Sequence, residues 1–146
     1  TPLMMAMVAS TAANKGEQMT PYLVSRTLDP DLNEVSATST KVARTPIDSA
    51  TASSLSSLMQ KAVAEGTGTS AQVSGVQVAG KTGTAETGTD SGPTTWFVGF
   101  AGTDIDKPQI ALAVVLDGNA ETEDGATGGK VAGPVAAKVI DAAVDQ

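Results

Sequence analysis

The chain has 146 residues, 40% of them hydrophobic but only 3% aromatic, so a single domain can bury a real core only on Val, Leu, Ile, Met and Ala. Nine basic residues against 16 acidic give a net charge of −7 with no basic cluster, which argues against nucleic acid and anionic membrane surfaces as partners. Cysteine and histidine are both absent, so disulfides and thiolate chemistry are excluded and acid–base work must fall to lysine, carboxylate or hydroxyl groups.

The first segment reads as a helix. Thr1 is placed to cap it and Pro2 occupies the first helical position, where a missing N–H costs nothing. Leu3, Met4, Met7, Val8 and Thr11 follow helical spacing, and Gly16 offers a left-handed stop. Met5 and Ala6 broaden the apolar face, so the helix is expected to be buried over much of its surface, with its methionines as core filler. From Gln18 to Thr45 the period changes. Tyr22–Leu28 and Glu34–Val42 are alternating, β-branched runs separated by Asp29-Pro30-Asp31-Leu32-Asn33, the signature of a small hairpin closed by a loop. Asp48 then caps a second helix, whose stripe is Ala52, Leu55, Leu58, Met59, Ala62 and Val63 and whose end is Glu65-Gly66. Gly66-Thr67-Gly68-Thr69-Ser70 reads as a flexible connector.

The next run is the chemical centre. Val76-Gln77-Val78-Ala79 alternates as a strand does, and Gly80-Lys81-Thr82-Gly83-Thr84 follows it. A strand end of this kind puts a cation and two hydroxyls on one edge, with no side chain at Gly83 to block a ligand. Thr82 and Thr84 alternate with Gly83, so both hydroxyls share a face. Gly75 to Thr82 also satisfies the phosphate-cradling pattern G-x-x-x-x-G-K-[ST], but that pattern requires a helix opening at the lysine. Here Thr-Gly-Thr-Ala-Glu-Thr-Gly-Thr follows, too rich in glycine and β-branched residues to begin one. A strand end with a solvated lysine is the bland alternative.

Beyond a polar loop from Ala85 to Thr94, Trp96–Ala101 and Gln109–Leu116 read as two further strands, with a turn at Thr103–Pro108. Three short, closely linked strands pair most economically as a consecutive antiparallel sheet. Ile110–Leu116, the longest apolar run, is far too short to span a bilayer, and no signal peptide opens the chain. Asp117, Asn119 and Glu121 have the alternate spacing of a calcium loop, but Thr122 stands where glycine is required, so a solvated loop is expected and no metal site. The last helix runs from near Val131 or Pro134 to Val144, with Val135, Val139 and Ile140 toward the sheet.

Val78-Ala79-Gly80-Lys81-Thr82-Gly83-Thr84-Ala85-Glu86, with Thr94-Thr95-Trp96-Phe97-Val98-Gly99-Phe100 behind it, resembles the Lys-Thr-Gly motif of the penicillin-binding proteins and serine β-lactamases. The likeness runs through nearly the whole chain. It is greatest to the C-terminal part of the transpeptidase domain in monofunctional, class B penicillin-binding proteins of actinobacterial type. That family also has a helix of this kind and a Gly-Thr-Gly turn where the Asp48-capped helix and Gly66-Thr67-Gly68 stand.

The resemblance implies an α+β fold: an antiparallel three-stranded sheet with N- and C-terminal packing helices and a small hairpin. It implies a peptidoglycan D,D-transpeptidase that works through an acyl-serine on D-Ala-D-Ala and is acylated by β-lactams, with no cofactor. Lys81 would supply fixed positive charge and assist proton transfer, Thr82 and Thr84 would hold the substrate carboxylate, Gly83 would keep the edge open, and the Thr84 N–H would be half of the oxyanion hole. No Ser-x-x-Lys and no Ser-x-Asn occur in residues 1–146. An N-terminal portion carrying them is therefore expected outside this chain, which alone would be chemically inert. The same resemblance implies an extracytoplasmic enzyme anchored to the plasma membrane through a segment outside this chain, with cell-division or elongation proteins as further partners. A β-lactamase or D,D-carboxypeptidase shares the motif, and a non-catalytic scaffold that has lost its nucleophile is the reading from another class.

Overall fold

The computed structural model describes residues 1–86, 92–118 and 125–144. The elements run α1 (Pro2–Ala13), β1 (Gln18–Met19), β2 (Arg26–Leu28), β3 (Glu34–Ala37), β4 (Val42–Arg44), α2 (Ser49–Ala64), β5 (Gln77–Ala85), β6 (Thr94–Gly102), β7 (Ile110–Leu116) and α3 (Ala132–Ala143). The α+β architecture is the expected one, and β5, β6 and β7 form a consecutive antiparallel sheet in that order.

Local chemistry sets the ends of the helices. The Thr1 hydroxyl accepts from the Met4 N–H (3.4 Å), and the Asp48 carboxylate accepts from the Thr51 N–H (2.7 Å). Each satisfies a backbone donor that the first helical turn leaves orphaned. That hydrogen bond holds the Asp48 carboxyl below its usual range. After α1 the chain turns through Lys15 and Gly16, both at positive φ; a side chain on Gly16 would strike the Ile47 carbonyl. A polar chain centred on the buried Gln18 ties this corner together: Gln18 donates to Thr11 Oγ1 (3.2 Å) and accepts from Arg44 Nε (2.8 Å).

The sheet carries a core on each face. On one, Ala79 and Phe100 pack with Ala12 of α1 and Met59 of α2. On the other, Val78, Phe97, Ala101 and Leu112 pack with Val63, Ala71 and the Ala132, Ala136 and Ile140 stripe of α3. Phe97 and Phe100, two of the chain's few aromatic rings, are fully buried on opposite faces.

Five expectations change. The Tyr22–Leu28 and Glu34–Val42 runs pair only over β2 and β3, while β4 turns back to pair with β1 in a second ribbon. The intervening loop is held by the Asp29 carboxylate, which accepts from the backbone of Asp31 and Asn33 (2.9 Å each). Helix α1 is not widely buried: Leu3, Met4 and Val8 are about half exposed or more, because only its Ala9 and Ala12 side reaches the sheet. Leu55 and Leu58 of α2 are exposed in the same way, Leu58 at 64%. On α3, Val135 and Val139 face outward at 39% and 42%; the small residues Ala132, Gly133 and Ala136 let the helix approach closely, and Ile140 fills the space beyond them. Finally, Gly66–Ser70 is pinned: Thr69–Ala71 forms a 3-10 turn, Gly68 is buried, and its N–H bonds the Ala62 carbonyl (2.9 Å). Asn119, Glu121 and Thr122 of the calcium-like spacing lie outside the described residues.

Candidate active site

Strand β5 carries the motif. It is paired on one side only, with Lys81 opposite Val98, Thr82 opposite Phe97, Gly83 opposite Trp96 and Thr84 opposite Thr95. Its other edge has no strand partner among the described residues, so alternate backbone N–H and C=O groups face outward. The strand continues through Lys81 to Ala85 with no helix opening at the lysine. The phosphate-cradle geometry is therefore absent, and Gly75–Thr82 is a strand approach.

Glycine is required at Gly80. A Cβ there would overlap the Phe97 ring, and the same ring lies 3.0 Å from where a Cβ on the paired Gly99 would stand. An aromatic ring thus lies across two paired glycines and backs the strand immediately before Lys81.

The period-2 alternation separates the functional groups. Lys81 and Gly83 share a face with Trp96, Val98 and helices α1 and α2, whereas Thr82 and Thr84 share the other with Phe97 and the loop before α3. The cation and the hydroxyls flank one open edge rather than crowding one face. The Lys81 ammonium donates to the Thr82 carbonyl (2.7 Å), one of three N–H groups it can direct. The groove beside it, about 610 Å³, is lined by Met5, Val8, Leu55, Leu58, Trp96, Val98 and residues Lys81, Thr82 and Gly83 of the motif.

Both threonine hydroxyls are held from behind. Thr82 Oγ1 lies 2.6 Å from Thr67 Oγ1, and Thr84 Oγ1 accepts the N–H of Gly128 (3.2 Å). A side chain on Gly128 would overlap the carbonyls of Trp96 and Gly83, so only glycine lets that peptide reach the strand. Neither Thr67 nor Gly128 is singled out by sequence. The available signals were the Gly66-Thr67-Gly68 turn and a Gly128-Gly129 pair just before a helix.

With this geometry in view, comparison with known proteins defines the class. The penicillin binding protein transpeptidase domain matches residues 1–141, and the chain belongs to that family. It is 39% identical over 147 residues to the peptidoglycan D,D-transpeptidase PbpA of Mycolicibacterium smegmatis, covering 99% of this chain and 29% of that protein. It is 40% identical over 149 residues to PbpA of Mycobacterium tuberculosis, again 99% of this chain and 29% of the relative. The crystal structure of PBPA from Mycobacterium tuberculosis superposes with a TM-score of 0.83 at 40% identity, covering 98% of this chain and 32% of that one. A penicillin G acyl-enzyme complex of penicillin-binding protein A from the same organism superposes at 0.82 with 37% identity, covering 98% of this chain and 32% of that one. The chain spans about three tenths of the length of these relatives.

Proposed function

We propose that this chain is the Lys-Thr-Gly-strand portion of a serine-type peptidoglycan D,D-transpeptidase domain that cross-links stem peptides and is acylated by β-lactams. One observation carries the reading: Lys81, Thr82, Gly83 and Thr84 sit on the edge of β5 that has no strand partner among the described residues, beside a wide apolar groove. The groove places uncovered Leu58 and Val8 next to a cation, which suits a site completed by further protein. In this reading the remaining portion of the domain, with its Ser-x-x-Lys and Ser-x-Asn, packs on that face and brings the nucleophilic serine to β5.

The chemistry follows from the donors present. The serine hydroxyl attacks the D-Ala-D-Ala carbonyl, D-Ala leaves, and the amine of a second stem peptide displaces the serine. Lys81 stabilises the negative charge that develops and, by polarising the middle-motif serine, assists transfer of the proton lost by the attacking serine to the leaving amine of D-Ala. The Thr84 N–H, with the nucleophile's own N–H, holds the oxyanion. Thr82 and Thr84 hydroxyls bind the terminal carboxylate, and Gly83 leaves the edge clear for an extended ligand. Such an enzyme works outside the cytoplasm, anchored to the plasma membrane by another segment and associated with cell-division or elongation proteins.

Lys81→Ala in the complete protein tests the reading. Losing one group that stabilises a developing charge commonly costs on the order of a hundredfold in rate. The acylation rate with a fluorescent penicillin should fall by that order with thermal stability unchanged. A rate within about twofold of the parent would remove Lys81 from the chemistry.

A further inference from the structure

Resting on the function proposed above, we infer that Thr67 and the Gly128 peptide are positioning groups for the ligand's carboxylate. They donate from behind to Thr82 and Thr84 and so turn both hydroxyl protons toward the open edge of β5.

A hydroxyl has one proton to give and two lone pairs to receive. At Thr84 the direction is fixed, because a backbone N–H can only donate: Gly128 fills an acceptor position on Oγ1, and the Thr84 proton must go elsewhere. At Thr82 the partner is another hydroxyl, Thr67 Oγ1 at 2.6 Å, and either could donate in the free protein. A carboxylate accepts only. When one is bound, the chain of donors must run from Thr67 to Thr82 to the ligand, and a hydroxyl that accepts a hydrogen bond becomes a stronger donor in turn. Both threonines are thereby made donors toward the same anion from the same face of the strand.

The two donors are held by structure far from them in sequence. Thr67 is fixed by the Gly68 N–H bond to Ala62 at the end of α2. The loop before α3 is fixed by the Gly133 N–H on the Gly128 carbonyl (2.8 Å) and by the Ser70 hydroxyl on the Gly129 carbonyl. A side chain on Gly129 would overlap the Thr67 carbonyl, so the two donor segments touch and form one brace behind β5. Positions 67 and 128 therefore control the direction of two protons without touching the ligand themselves.

The test uses the complete protein, with a penicillin bearing its free carboxylate and the methyl ester of the same compound. Pre-covalent dissociation constants and acylation rates are measured separately for the parent, Thr67→Val, Thr67→Ser and Thr82→Val. Removing one donor from a hydrogen-bonded chain should weaken capture of the acid about three- to tenfold in Thr67→Val, leave the ester within about twofold, and be restored by Thr67→Ser. Since the readout is the acid-to-ester ratio, a reduced folded fraction does not alter it. Equal losses for acid and ester, or no recovery in Thr67→Ser, would make Thr67 a packing residue and overturn the inference. An unchanged ratio in Thr67→Val with a collapsed ratio in Thr82→Val would overturn it while leaving the carboxylate role of Thr82 intact. Unchanged ratios in both would overturn the carboxylate site itself.

Discussion

Gly80→Ala should damage the core and the site together, through one ring. An added Cβ would overlap Phe97 Cζ and stand 2.9 and 3.0 Å from its two Cε atoms. Carbon atoms pack comfortably at about 3.5–4.0 Å, so the ring must retreat by roughly an ångström. It has nowhere to go: Phe97 is fully buried and shares its cluster with Val63, Ala71, Val78, Ala136 and Ile140. Overpacking of this kind costs about 1–3 kcal/mol. Replacing glycine at a φ open to any residue returns about 0.4–1 kcal/mol through the unfolded chain. The net expectation is a destabilisation of about 1–2 kcal/mol, measured by denaturant unfolding of the complete protein. Phe97→Leu removes the obstructing ring edge, so the double variant should be more stable than the sum of the singles by about 1 kcal/mol or more. Two single effects that simply add within about 0.5 kcal/mol would refute the reasoning, since the ring would not be what excludes a side chain.

Other consequences follow from single groups. Thr95 is buried and its hydroxyl is the one buried side-chain oxygen without a hydrogen-bond partner among the described residues, so Thr95→Val should be neutral or stabilising by up to about 1–2 kcal/mol in the same unfolding assay. A clear loss of stability would mean that the hydroxyl is satisfied in solution. Asp48 caps α2 and its carboxyl is depressed by the Thr51 N–H, so its contribution is present above the ordinary carboxylate range and is lost as pH falls through the lower, folded value. Asp48→Ala should therefore lower the melting temperature at neutral pH and narrow its gap to the parent under strongly acid conditions; an equal gap at both would sever the link to ionisation.

The order of elements was legible because local chemistry dictates it. Thr1-Pro2 and Asp48 announce two helices through their caps, and the alternation from Val76 to Val78 leads into the strand that carries Lys81. The same residues excluded a phosphate cradle, since glycine and β-branched residues after Lys81 oppose a helix. Which apolar positions are buried was decided only in three dimensions. The periodicities of α1 and α2 mark Val8 and Leu58 as apolar-face residues, yet the sheet is narrow and reaches only the Ala9, Ala12 and Met59 side of that surface. On α3 the valines of the stripe lost to Ala132, Gly133 and Ala136, because close approach to a sheet rewards small side chains that periodicity alone does not rank. The hydroxyl partners lay furthest from sequence reach. Thr67 and Gly128 meet Thr82 and Thr84 through long-range closure of the chain, and no local pattern encodes which turn a strand will find behind it.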